Sequence, residues 1–140
     1  MRAAAAVLLA CLSLALAEPA RALNDADRAA IRDVIQKQLD AFATDDGARA
    51  YSFAAPSIQN LFPSQERFMG MVREGYKPVY RHRSALFGSF KDEPDEIRQS
   101  VYLQDLDGED WLAVYAMEAQ PDGSWRISGC TLQRRPGQAV

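Results

Sequence analysis

Side chains that bind metals or form covalent bonds are scarce in this sequence. Its 140 residues include one histidine, His82, and two cysteines, Cys11 and Cys130. One histidine and one cysteine without nearby ligands cannot complete the four-ligand shell that zinc prefers. The sequence also contains no glycine-rich phosphate loop and no nucleophile motif. We therefore expect neither a metal nor a cofactor.

Positive charge is not in excess either. The chain has 16 Lys and Arg residues against 19 Asp and Glu residues, and its net charge at pH 7 is −3. Proteins that neutralise the phosphates of nucleic acids need a basic face. We therefore do not expect a nucleic acid as a partner.

Long apolar runs are confined to the start of the chain. A Met-Arg pair opens it, residues 3–17 are almost entirely apolar, and small-x-small cleavage signals end at Ala17 and Ala22. This order of features is typical of a secretory signal peptide. The run is shorter than the roughly 20 residues that a transmembrane helix needs. We expect a signal peptide over residues 1–22 and a periplasmic or secreted protein without a retained membrane segment.

The spacing of apolar residues changes from helical to strand-like halfway along the chain. Residues 24–43 carry apolar side chains at the i, i+3, i+4 spacing of an amphipathic helix. Three shorter helices and then four strands joined by hairpin turns are predicted to follow. This order predicts an α+β fold with N-terminal helices packed on a curved antiparallel meander. We expect one domain over residues 23–135, followed by a disordered tail at 136–140. The helices are predicted at 24–43, 48–53, 57–62 and 65–74, and the strands at 79–90, 97–104, 111–119 and 124–133.

The third predicted strand is apolar on both faces. An antiparallel strand with one solvated face alternates apolar and polar residues instead. The helices can cover one face, and a second copy of the chain would cover the other, which predicts a homodimer. A bent sheet that shields both faces within one chain is the alternative. The two apolar sets are Trp111, Ala113, Tyr115 and Met117 on one side and Leu112, Val114 and Ala116 on the other.

Four segments of the sequence resemble those of a known family: residues 38–42, 53–59, 68–76 and 123–130. Together they resemble a bacterial family known as domain of unknown function 4864, and the Trp-Arg-Ile-Ser-Gly-Cys run in the last segment is the most specific part. That family is similar to the nuclear transport factor 2-like (cystatin-like) superfamily, in which a curved sheet wraps helices into a cone with a pocket. The resemblance implies this fold and supports dimerisation. It implies no activity, because one fold hosts many functions.

The only histidine is the candidate for acid–base chemistry. Imidazole titrates near neutral pH, so His82 with an acidic partner such as Asp40 would suit a general base. The alternative is a partly exposed histidine in a strand, flanked by Arg81 and Arg83, whose charges lower its proton affinity. No sequence feature brings a carboxylate to His82, so we assign no catalytic residue.

Aromatic residues with polar tips are the candidates for a ligand pocket. Their rings supply contact area and their polar tips orient a ligand. The alternative is that most of them belong to the core or to a dimer interface. The candidates are Tyr51, Tyr76, Tyr80, Trp111, Tyr115 and Trp125.

Charged residues give weaker indications of a site. Arg81, Arg83 and Arg126 are candidates to receive an anionic ligand, although single arginines more often pair with surface carboxylates. The acid-rich segment 105–110 lacks the spacing of a calcium loop. We predict that this segment is a hairpin turn.

Three functions are compatible with these features. The leading hypothesis is an exported domain that binds a small apolar molecule or an envelope protein and has no assembled catalytic site. One alternative is an isomerase, dehydratase or hydrolase with an acidic or histidine base in an apolar pocket. The other is a structural subunit of an envelope complex.

Overall fold

In the computed structural model, which describes residues 22–136, five helices precede four strands along the chain. The predicted α+β fold is confirmed. The predicted signal peptide, apart from Ala22, and the predicted tail, apart from Pro136, lie outside the described residues. Within residues 22–136, no helix is long and apolar enough to cross a membrane. The elements are α1 (Asp25–Ala43), α2 (Gly47–Ser52), α3 (Pro56–Leu61), α4 (Gln65–Gly75), α5 (Lys77–Tyr80), β1 (Ser84–Glu93), β2 (Glu96–Gln104), β3 (Asp110–Ala119) and β4 (Trp125–Arg135).

Helix α1 begins at a capping box and buries one face along its length. The Asn24 side chain accepts a hydrogen bond from the Asp27 N–H at 2.9 Å, and the Asp27 carboxylate accepts one from the Asn24 N–H at 3.0 Å. These reciprocal bonds satisfy backbone donors that the first turn of a helix leaves without partners. Ile31, Ile35 and Leu39, spaced one turn apart, are fully buried in the core.

The four strands form an antiparallel sheet in the order β1-β2-β3-β4. The turns that contain Gly108 and Gly123 use φ values of 84° and 85°, which residues with a Cβ rarely adopt. A bulge interrupts β1 between Phe87 and Phe90. The buried Gln99 donates from Nε2 to backbone carbonyls of this bulge. Bulges bend a strand and increase its twist, which curves the sheet.

The two faces of the sheet have different environments. The helices pack on the face that carries Val101, Ala113 and Tyr115, which are at most 1% exposed. On the opposite face, Leu86 is 69% exposed and Val114 is half-buried. The second apolar face predicted from the sequence is therefore present in β3, and the described helices lie on the other side of the sheet.

One predicted element is wrong over part of its length. The sequence predicts a strand over 79–90, but Lys77–Tyr80 forms a helix and the strand begins only at Ser84. Pro78 lies in the first turn of α5, where the missing proline N–H costs no helical hydrogen bond. His82 therefore lies in the connection between a helix and a strand, not within a strand.

A short backbone bridge joins the helical layer to the edge strand β4. The Ala55 N–H donates to Ile127 O at 2.8 Å, and the Ile127 N–H donates to Phe53 O at 2.8 Å. Ala54 and Ala55 are 1% and 0% exposed, and their small side chains let the connection between α2 and α3 approach the strand closely. The bridge thereby holds α3 beside β4.

The burial of Leu39 predicts a large loss of stability on truncation. We expect Leu39→Ala to lower the free energy of unfolding by about 3 kcal/mol, because it removes buried methyl groups and leaves a void. The matched control, Leu106→Ala, removes the same atoms from a side chain that is 56% exposed and should cost less than about 0.5 kcal/mol. Urea denaturation followed by circular dichroism measures both values. Equal losses would contradict the assignment of Leu39 to the core.

Candidate ligand-binding cavity

A cavity of about 420 Å³ lies between the helices and the β3–β4 half of the sheet. Residues of α1, α3, α4 and α5 form one wall, and residues of β3 and β4 form the other. Ligand sites in proteins typically measure roughly 300–1,000 Å³, so the space suits a small organic molecule. Leu61, which is 71% exposed, lies at its edge. Much of the apolar wall consists of Phe42, Ile58, Phe62, Phe68, Met71 and Val72.

Few polar groups reach the cavity. Gln38 donates from Nε2 to Ala50 O at 3.1 Å, and the Tyr76 hydroxyl donates to Cys130 O at 3.1 Å. The Tyr115 hydroxyl is buried and has no hydrogen-bond partner among the described residues. Tyr115 and Cys130 are direct partners across β3 and β4, so their side chains lie next to each other on the helix-facing side of the sheet.

The polar side chains of the cavity are uncharged. Burial raises the pKa of Tyr115 well above its usual value, and it also raises the pKa of Tyr76. Burial raises the pKa of the Cys130 thiol to about 12, although the nearby Tyr115 hydroxyl opposes the shift. All three groups are therefore protonated and neutral near pH 7. A thiol with so high a pKa is not a ready nucleophile.

Two of the six aromatic candidates line the cavity, namely Tyr76 and Tyr115. Two others support the surrounding structure instead. The Tyr51 hydroxyl donates to Phe62 O at 2.6 Å and ties α2 to the end of α3. Trp125, at 7% exposure, is part of the core.

The remaining aromatic candidates line a separate surface cleft and hold loops in place. The Tyr80 hydroxyl donates to the Asp45 carboxylate, which also pairs with Arg81 at 2.9 Å, and these contacts lower the pKa of Asp45. Trp111 Nε1 donates to Asp105 at 2.9 Å. The Asp105 carboxylate also accepts two backbone N–H bonds within its own turn. The acid-rich segment is thus a hairpin turn, as predicted.

The arginines considered for an anionic ligand do not line the cavity. Arg81 is engaged with Asp45, and Arg83 donates from Nη2 to Leu106 O at 2.7 Å. Arg126 lies on β4, half-buried. Residues 22–136 also contain no group of three or more His, Cys, Asp or Glu side chains placed to hold a metal ion.

The candidate acid–base residues lie outside the cavity. Asp40 is exposed. Asp46, a further carboxylate shortly after the end of α1, caps α2 by accepting a hydrogen bond from the Arg49 N–H at 3.1 Å. His82 is half-buried, and its Nδ1 has no hydrogen-bond partner in the described part of the chain. Burial lowers the pKa of His82, while the Val79 backbone and the Asp40 charge oppose this shift. Asp40, considered as an acidic partner for His82, therefore acts on the imidazole through its charge.

Sequence reasoning missed most of the cavity wall. Phe68, Met71 and Val72 follow the spacing of a buried helix face, and Phe68 and Val72 are 4% exposed. The same three residues also line the cavity. Core positions and cavity positions carry the same kinds of apolar side chain, so periodicity alone does not separate them.

The comparison with known protein families gives one match. A family model described as Domain of unknown function (DUF4864) matches residues 24–140. This range includes all the residues that line the cavity. No curated protein and no solved structure matches the chain significantly.

The burial of His82 predicts a pH-dependent stability. Its pKa is lowered in the folded protein, so the unfolded chain binds the proton first as the pH falls through about 6.5. The free energy of unfolding should therefore fall between pH 7.5 and pH 5 through this group, by at most about 1.4 kcal/mol per pH unit.

The variant His82→Gln isolates this contribution. It removes the titrating group while keeping a polar side chain of similar length. Urea denaturation over the pH range should give a shallower loss of stability for the variant than for the wild type. Parallel curves for the two proteins would show that burial does not hold the imidazole neutral.

Proposed function

The chain belongs to the family described as Domain of unknown function (DUF4864), as its sequence segments predicted, and we propose that it is a non-enzymatic exported domain that binds a small apolar molecule. The cavity of about 420 Å³, whose polar lining groups are few and uncharged, is the observation that carries the proposal. A ligand there would be stabilised by the apolar area that it removes from water, roughly 25 cal/mol per Å². A nuclear transport factor 2-like cone is part of this proposal, and the helices on a curved meander agree with it.

The enzyme alternative has less support from the geometry. Acid–base catalysis needs a titratable group within hydrogen-bond reach of the substrate. Asp40, Asp46 and His82 do not line the cavity. Tyr115 and Cys130 line it, but burial keeps both protonated near pH 7. A molecule in the cavity would therefore meet no ready base among the described residues.

Export is part of the proposal and rests on the sequence of residues 1–22. A periplasmic or secreted domain with an apolar cavity would shield a poorly soluble molecule from water. The alternative partner is an envelope protein, which would dock on the outer surface and leave the cavity free. A purely structural subunit of an envelope complex would likewise use the surface, so ligand binding distinguishes it from the proposed function.

The outer face of the sheet supports a homodimer as the second part of the proposal. Leu86, Tyr102 and Leu112 form one row across β1, β2 and β3, and Val114 lies next to this row. Gly88 faces Tyr102 so closely that a Cβ at this position would lie 2.6 Å from the ring. These side chains are uncharged, but the Arg135 guanidinium lies over the Tyr102 ring at 4.7 Å from its centroid, so it would stand at the margin of a contact between two identical faces or move aside.

Blocking the cavity should abolish ligand binding. We expect Ile58→Trp to weaken the binding of N-phenyl-1-naphthylamine, an uncharged apolar fluorophore, by at least about tenfold, because the larger side chain fills space at the α3 wall. Fluorescence titration measures the dissociation constant.

The control for Ile58→Trp is Leu106→Trp, which adds an indole to an exposed position outside the cavity. It should bind the fluorophore as the wild type does. Equal affinity in all three proteins would place the fluorophore elsewhere and refute the proposal.

A charge on the outer sheet face should prevent dimerisation. Sedimentation velocity should give a dimer for the wild type and a monomer for Val114→Lys, because an unpaired ammonium group would be buried in the contact. Leu106→Lys places the same charge on an exposed turn and should remain dimeric. A wild type that sediments as a monomer at high concentration would disprove the homodimer.

A further inference from the structure

We propose that the cavity binds an uncharged molecule that carries one hydrogen-bond acceptor, such as a carbonyl oxygen, and that the Tyr115 hydroxyl donates to this acceptor. The inference rests on the proposed function, because it specifies the chemistry of the ligand for the same cavity. Tyr115 would then be the residue that distinguishes between apolar molecules of equal size.

The hydroxyl of Tyr115 is buried without a hydrogen-bond partner among residues 22–136. This side chain is 1% exposed and lines the cavity. Buried donors without a partner are rare because they lose their bonds to water and gain none in return. A ligand oxygen in the cavity would supply the missing acceptor.

The neighbouring polar groups do not give the Tyr115 hydroxyl an oxygen acceptor. Tyr76 uses its own hydroxyl to donate to Cys130 O at 3.1 Å. The Cys130 thiol lies beside Tyr115 across the two strands, near enough for each group to affect the pKa of the other. Sulfur is only a weak acceptor, so this contact does not replace an oxygen acceptor. The Tyr115 hydroxyl oxygen is itself covered by its neighbours, so a neighbouring side chain must rotate aside for a ligand oxygen to reach it.

The wall of the cavity carries no charged side chain among the described residues. No Asp, Glu, Lys, Arg or His lines the cavity within residues 22–136. A carboxylate or ammonium group that entered it would lose its water without gaining a counterion, which is strongly unfavourable. A neutral acceptor avoids this cost and still satisfies the hydroxyl.

Three naphthalene compounds of nearly the same shape separate these contributions. 2-Acetylnaphthalene carries a carbonyl acceptor, 2-isopropenylnaphthalene replaces the oxygen by a methylene group, and 2-naphthoate carries a charge. Isothermal titration calorimetry on the wild-type protein should give about tenfold tighter binding for the ketone than for the hydrocarbon. The carboxylate should bind at least about a hundredfold more weakly than the ketone.

Two tyrosine variants assign the preference to one hydroxyl. Tyr115→Phe should bring the affinities for the ketone and the hydrocarbon to about the same value. It should leave the melting temperature of the free protein unchanged or raised, because it removes an unpaired buried group. Tyr76→Phe is the matched control. It loses a hydroxyl that already has a partner, so it should melt at a lower temperature and keep the preference for the ketone.

A third variant tests the role of the thiol. Cys130→Ala removes the sulfur beside the Tyr115 hydroxyl, so the preference for the ketone should stay equal or increase. Equal binding of ketone and hydrocarbon by the wild type, or a preference that survives Tyr115→Phe, would overturn the inference. Tightest binding of the naphthoate would also overturn it. If none of the three compounds binds, the proposed function itself fails.

Discussion

The cavity depends on the backbone bridge between the helical layer and the edge strand β4. Two hydrogen bonds of 2.8 Å link Ile127 with Ala55 and Phe53, and they hold the connection between α2 and α3 against the sheet. The connection leads directly into α3, whose Ile58 forms part of the cavity wall. The alanines at the bridge are small enough to allow this approach, so the sequence of the connection determines how much space remains above β3 and β4.

Charge is arranged around this space rather than inside it. Asp45 pairs with Arg81 at the surface, and the Asp105 carboxylate is used within its own turn. The polar residues left to the cavity are Gln38, Tyr76, Tyr115, Cys130 and Thr131, all of them uncharged. Such a site offers shape, apolar area and a few neutral hydrogen-bonding groups. This is why binding of a neutral molecule explains the geometry better than acid–base catalysis.

The sequence was sufficient for the order of elements and insufficient for the site. Periodicity and turn residues predicted four of the five helices and the four-stranded meander, because both signals are local. Helix α5 was missed because four residues are too short to show a helical period, and only Pro78 indicated a helical start. The cavity could not be predicted, since Phe68 and Val72 follow the same pattern whether they pack tightly or face a space. Among the aromatic candidates, only Tyr76, between α4 and α5, and Tyr115, on β3, line the cavity.

The central claim is that an apolar molecule occupies this cavity, and methyl NMR tests it most directly. Of Met69, Met71 and Met117, only Met71 lines the cavity. Titration of protein carrying ¹³C-methyl methionine with N-phenyl-1-naphthylamine should shift the Met71 resonance strongly through the ring current of the ligand, and shift the other two much less. Unchanged resonances at saturation, or a shift at Met117 without one at Met71, would contradict the account.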